Sequence, residues 1–299
     1  MEQAAWRDFI SHLEEKRVTG VVLYQNGVKT AEHHFDDEHR RNQYSATKSF
    51  TALAVGIAEK EGLLSLDERI ADCFPEDLPK NPSENLLSIT VRDALAMSLG
   101  QDRAYLMGED RIHLRETDWI KYVLSSAVVN KPGSVFLYSN AGPYLAGRLV
   151  QKRAGCSLTD YLMPRFFERA GIYRPTWELD PLGYSFGAGG LMLCVSELAQ
   201  WGLLFLQNGW YNGKQLLNPV FVKKATSLQT PTPDGKKDAG YGYGLGLWMG
   251  ANGSFRADGK YGQFCLVMRD KNAVLAVNAE SRSPQEILDT VWDILYPAL

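Results

Sequence analysis

The chain has 299 residues, 45% of them hydrophobic, and a formal net charge of -3. That length accommodates one large domain or two lobes around a shared core. The mild, mixed-sign charge, without any extended basic run, argues against a nucleic-acid or anionic-membrane partner, and no apolar stretch approaches the roughly 20 residues of a bilayer span.

The opening Met1-Glu2-Gln3-Ala4-Ala5-Trp6 is acidic and amphipathic, unlike the basic and apolar regions of a signal peptide, so the expectation is a cytoplasmic protein without membrane insertion. Cys73, Cys156, Cys194 and Cys265 are scattered, with no C-x-x-C pair, and are expected reduced and mostly buried. His33 and His34 are adjacent on a predicted strand and point to opposite faces, so no metal or other cofactor is expected.

In chain order, Trp6, Phe9, Ile10 and Leu13 predict an amphipathic helix over 4–16. Two β-rich runs, Val18–Tyr24 and Val28–Phe35, flank Asn26-Gly27, a strong hairpin signal. A polar stretch, Asp36–Gln43, leads to Tyr44-Ser45-Ala46-Thr47-Lys48 and then a helical pattern from Phe50 to Glu61, ending at Gly62. Further helices are predicted at Val91–Met97, Thr117–Ser125, Gly142–Ala154, Leu158–Ala170 and Val195–Asn208, with Gly155 and Gly171 as C-terminal caps. Gly240–Met249 alternates glycine with large residues. Phe264–Arg269 and Ala273–Asn278 are strand-like, and Pro284–Leu295 closes the chain as a helix.

Strands at both ends with helices between predict an α+β fold. An antiparallel sheet flanked by the terminal helices forms an α/β sandwich, and a mainly helical lobe is inserted into it. The organisation is a single domain over 1–299, with the α/β lobe at about 1–60 and 210–299 and the helical lobe at about 61–209.

Three serine patterns compete for the role of nucleophile. Gly183-Tyr184-Ser185-Phe186-Gly187 matches the G-x-S-x-G elbow, but that chemistry needs a histidine after the serine. All five histidines (His12, His33, His34, His39 and His113) precede it. Ser45-x-x-Lys48 puts a hydroxyl and an amine on one face of a first helical turn, where the helix dipole favours developing negative charge. Partial burial would lower the lysine toward the range of a working base. The same four residues also describe an N-capping serine with a solvated lysine. Tyr138-Ser139-Asn140, after Lys131-Pro132-Gly133, supplies a phenol and an amide on a loop. Tyr24-Gln25-Asn26 and Ser83-Glu84-Asn85 have related patterns without that context.

Ser45-Ala46-Thr47-Lys48 followed by Tyr138-Ser139-Asn140 resembles the S-x-x-K and Y-x-N motifs of class C β-lactamases, family VIII esterases, D-amino-acid peptidases, DD-peptidases and nylon-oligomer hydrolases. S-x-x-K also marks class A enzymes and penicillin-binding proteins. The likeness runs almost end to end, through Ile57–Glu68, Asp93–Gly100, Pro132–Leu145 and Gly189–Leu206 in the family's order. It implies a β-lactamase/transpeptidase-like catalytic domain and a serine hydrolase acylated on Ser45. Lys48 and Tyr138 would move protons, and Asn140 would bind Lys48 or the substrate. The substrate would be a small ester, amide or β-lactam-like molecule. A β-lactamase or D-Ala-type peptidase is the alternative, and a non-catalytic penicillin-binding-like protein a second.

The third family motif (K-T-G, H-x-G or W-G-G) departs here. Aligning on the glycines sets Ser254-Phe255-Arg256 in its place, with Ala257 as second backbone oxyanion donor beside Ser45, and Gly259 nearby. Arg256, with Lys260 as second candidate, either replaces the lost cation that binds a substrate carboxylate or is a solvated surface charge.

Overall fold

The computed structural model describes residues 3–233 and 237–299. The opening Met1-Glu2 lies outside the described residues. A first helix, α1 (Gln3–Ser11), is followed by a 3-10 turn at Glu14–Lys16, so the predicted helix stops earlier than Lys16. Strands β1 (Val18–Gln25) and β2 (Val28–His34) form the predicted hairpin. Asn26 and Gly27 both sit at positive φ (55° and 77°), as a two-residue turn matching strand twist requires.

The nucleophile segment leads into α2 (Thr47–Lys60). After a series of short helices come α3 (Ala141–Ala154) and α4 (Val195–Leu206). The chain then returns to the sheet through β3 (Trp248–Met249), β4 (Phe255–Gly259), β5 (Gln263–Met268) and β6 (Ala273–Ala279), and on to α5 (Pro284–Thr290). The sheet is antiparallel throughout, in the order β2-β1-β6-β5-β4-β3. N-terminal β1 therefore lies against C-terminal β6, with Val21 opposite Val277.

Period-two alternation divides the sheet between two cores. Val21, Leu23, Phe264, Leu266, Leu275 and Val277 pack with Phe9, Ile10 and Leu13 of α1 and with Ile287, Leu288, Val291 and Leu295 near the C-terminus. Val22, Cys265, Val267, Val274 and Ala276 belong to the other core, which includes α2, α3 and α4. Helix α4, counted by sequence with the helical lobe, packs on the sheet strands themselves. Gly202 makes that approach possible: a Cβ there would lie 2.5 Å from Val274 Cγ1 and 2.7 Å from Cys265 Sγ.

Two predicted helices are interrupted, and the glycine-alternating run is largely irregular. Leu158–Leu162 is α-helical, but Met163–Phe167 is a π-turn and Glu168–Ala170 a 3-10 turn, because Pro164 has no N–H to continue the ladder. Val291–Leu295 is likewise a π-turn after α5. Of Gly240–Met249 only Trp248–Met249 is a strand. Its backbone is drawn to irregular partners instead, with Leu245 N–H donating to Ala225 O and Gly246 N–H to Leu95 O. Cys73 and Cys265 are buried, Cys156 and Cys194 half-buried, and all four are free thiols. No helix among the described residues is long and apolar enough to cross a membrane.

Candidate active site

Ser45 lies in a 3-10 turn, Tyr44–Ala46, that feeds α2. Tyr44 just before it has φ 44°, a left-handed conformation costly for a bulky residue. The turn is held by Tyr44 N–H donating to Asn42 Oδ1 (2.7 Å) and by the edge contact of the Tyr44 and Tyr261 rings. One turn on, Lys48 is fully buried, and its Nζ lies 3.0 Å from Ser45 Oγ. The solvated-lysine reading therefore fails at this position.

Nζ also donates to Asn140 Oδ1 and to the Ala188 carbonyl, both at 2.7 Å. Asn140 is oriented by its other end, since Nδ2 donates to Leu106 O at 2.7 Å. Burial lowers the Lys48 amine to about 7, with the charge of Arg111 acting in the same direction. A neutral amine has two N–H groups and one lone pair. In that form, with both N–H groups given to the two carbonyl acceptors, the lone pair would turn to the Ser45 hydroxyl.

Tyr138 completes the cluster. Its loop is anchored by Gly133 N–H to Ser98 O and Leu137 N–H to Met97 O, both 2.8 Å. Ser139, the middle residue of the motif, is structural: buried, it accepts from Tyr105 N–H (3.0 Å) and donates to Tyr105 O (3.1 Å). The Tyr138 ring lies 5.1 Å from Lys48 Nζ and stacks on Trp248 at 5.5 Å. Burial raises the Tyr138 phenol well above its ordinary value, and a hydrogen bond with Ser45 opposes this.

The other serine patterns are structural. Ser185 is buried, with its N–H on Gln151 Oε1 and its Oγ accepting from Leu158 N–H. Ser83 caps a short helix through Leu86 N–H, and Tyr24-Gln25-Asn26 ends β1 at its turn.

On strand β4 the expected register shifts. Ser254 is buried beside Gly250, and Phe255 packs on Trp201 and Phe205. Ala257 is buried in the main core. The strand meets the nucleophile turn two residues later: a Cβ on Gly259 would lie 2.3 Å from Gln43 O and 3.2 Å from Ala46 N. The close approach of the strand to the nucleophile turn thus falls at Gly259, beyond Ser254-Phe255-Arg256 and Ala257. Arg256 is not a solvated surface charge. It is 3% exposed, and its Nε donates to Asp258 Oδ2 at 2.9 Å.

Ser45 and Tyr138 open into a cavity of about 740 Å³. Trp248, Arg256, Asp258, Lys260 and the segment around Arg282–Leu288 form its other walls. Sequence reasoning missed Asp258, Arg111 and the Ala188 carbonyl. A main-chain acceptor has no side-chain signature, and Asp258 was hidden by the register.

Sheet, cleft and helical lobe together make a β-lactamase/transpeptidase-like fold. The pattern of the beta-lactamase family matches residues 9–294, and the chain belongs to that family, whose members are mostly hydrolases. Among solved structures, the octameric penicillin-binding protein homologue from Pyrococcus abyssi superposes with TM-score 0.77 at 21% identity, covering 98% of this chain and 77% of that one. EstCE1, a hydrolase with promiscuous acyltransferase activity, gives TM-score 0.78 at 16% identity over 97% and 99%. Simvastatin synthase from Aspergillus terreus (a LovD6 mutant) gives 0.74 at 16% over 99% and 96%. At these identities the likeness is one of fold. Protein flp of Staphylococcus aureus (strain MW2) is 25% identical over 167 residues, 52% of this chain but only 33% of that protein.

Proposed function

We propose that the protein is a serine hydrolase that forms an acyl-enzyme on Ser45 and cleaves an ester or amide bond of a small substrate. The observation that carries this reading is the buried Lys48 amine, 3.0 Å from Ser45 Oγ, with its two other contacts both hydrogen-bond acceptors.

Ser45 Oγ attacks the substrate carbonyl carbon while its proton passes to Lys48 Nζ. The oxyanion is held by the Ser45 N–H and by the backbone N–H of Lys260, in the turn just after β4, rather than that of Ala257. The close approach of Gly259 to the Ser45 turn supports that choice. Losing one such donor typically costs about 10²–10³ in rate. As the carbonyl re-forms, Tyr138 gives its proton to the leaving oxygen or nitrogen and regains one from Lys48. Water then attacks the acyl carbon, the amine accepts the water proton, and Ser45 leaves with a proton restored.

The test uses short-chain nitrophenyl esters, a chromogenic cephalosporin and a fluorescent penicillin, with Ser45→Ala as control and the acyl adduct read by intact mass. Ester turnover lost in Ser45→Ala is the expected result. Fast cephalosporin hydrolysis would favour the β-lactamase or D-Ala-type peptidase reading. No adduct and no turnover with any probe would overturn both in favour of a non-catalytic binding protein.

A further inference from the structure

The charged pair on β4 stands inside the same cavity as Ser45 and bears on which substrates can enter. Arg256 is the strand's buried cation, yet its charge is already committed. Nε donates to Asp258 Oδ2 at 2.9 Å, and Nη1 faces the carbonyls of Asp238 and Met249 at 3.4 and 3.5 Å. Asp258 is 25% exposed, on the cavity side, and directly precedes the glycine that touches the nucleophile turn. Its Oδ2 takes the Arg256 bond, and among the described residues its Oδ1 has no hydrogen bond.

We infer that Asp258 is a specificity determinant that disfavours substrates whose acyl chain carries a carboxylate and selects uncharged esters or amides, whose O–H or N–H groups its free Oδ1 can accept. This rests on the Ser45 reading and names the substrate class of that site. Two effects act together. A substrate carboxylate would lie against the Asp258 carboxylate, whose pKa burial raises and whose pairing with Arg256 opposes that rise, in a partly desolvated cleft where repulsion is weakly screened. It would also find the Nε and Nη1 groups of Arg256 taken, and a guanidinium already held by a carboxylate has less to offer a second. Lys260, Arg282 and Glu286 also line the cavity. Lys260 is exposed with its ammonium over the Tyr261 ring at 4.8 Å, and Arg282 is exposed too, so neither is a buried cation free to hold a carboxylate.

The test compares nitrophenyl hexanoate with the nitrophenyl monoester of adipate, equal in acyl length and different by one carboxylate, each corrected for spontaneous hydrolysis. Wild type is expected to favour the hexanoate by at least about tenfold in kcat/KM. Asp258→Asn removes the like charge and frees Arg256. It should narrow the ratio by about tenfold or more, read in a folded variant whose hexanoate turnover still depends on Ser45. Arg256→Gln with Asp258→Asn removes both charges and leaves no unpaired buried ion, so it carries the test if the single variant melts at the assay temperature. It should narrow the ratio less than the single variant does.

An unchanged ratio in folded variants that still turn over hexanoate through Ser45 would overturn this inference and leave the hydrolase reading standing. Equal wild-type rates on the two esters would do the same. Loss of Ser45 dependence in wild type would take both readings down.

Discussion

Asn140 Oδ1 accepts from Lys48 Nζ at 2.7 Å while Asn140 Nδ2 is held by the Leu106 carbonyl at the same distance. The amide therefore offers the lysine an acceptor and no charge. That neutrality helps keep the amine near 7 rather than at its ordinary 10.5, because burial is uncompensated by an anion.

Replacing the amide by a carboxylate should reverse this. In wild type kcat/KM is expected to rise with pH through about 7, as Lys48 loses its proton, and then level off. Asn140→Asp sets a negative charge against the ammonium and should move that limb up by about one pH unit or more. A pH–rate profile on a nitrophenyl ester reads the midpoint directly. An unmoved midpoint would show that Lys48 is not the titrating group.

The same burial has a stability consequence whose sign is fixed. The folded chain binds a proton at Lys48 more weakly than the unfolded chain does, with about 7 against 10.5. Below pH 7 both states are protonated, and the full penalty of the buried cation applies. Between pH 7 and 10.5 the unfolded state holds more protons, so stability rises with pH. Relative to Lys48→Met, which does not titrate, wild type should gain up to about 1.4 kcal/mol per pH unit across that window and nothing below it. Urea melts of both proteins at several pH values measure the difference.

Tyr138→Phe keeps the ring that stacks on Trp248 and removes only the hydroxyl. It is expected to slow amide cleavage by about 10²–10⁴. A nitrophenolate leaves without protonation, so nitrophenyl esters should lose far less. Equal losses on an anilide and an ester would argue for a role in positioning rather than in protonating the leaving group.

Gly259→Ala brings a Cβ to within 2.3 Å of Gln43 O. The strand must then retreat from the Ser45 turn, at a cost of about 1–3 kcal/mol in stability. Acylation should fall by about 10²–10³ through the displaced oxyanion donor. Gly202→Ala is the matched control, with a Cβ 2.5 Å from Val274 Cγ1 on the α4 side of the sheet. It should show a similar melting loss with unchanged kcat/KM below the transition. Thermal melts and ester kinetics on the two variants separate packing from catalysis.

Much of the site was legible before any tertiary contact was known. Ser45 and Lys48 lie one turn apart, so their proximity follows from local backbone geometry, with the amine 3.0 Å from the hydroxyl. Asn26-Gly27 marks its own hairpin, because few residue pairs accept two positive φ angles. The short, continuous apolar runs of β5 and β6 likewise read directly as strands. The helices ending in π-turns were less legible, since their apolar spacing continues across the change of hydrogen-bonding pattern.

The residues themselves determined the hairpin, the main helices and the i, i+3 pair, because each depends on steric and hydrogen-bonding preferences within a few positions. Only the folded chain decided that β1 would lie beside β6, that Ala188 would lend a carbonyl to Lys48, and that β4 would meet Ser45 at Gly259. It also decided that Arg256 would be spent on Asp258. These are contacts between segments far apart in sequence, or of one strand with whatever faces it. Their partners are main-chain groups or charges whose roles depend on register, and register is set by packing on both faces of the sheet.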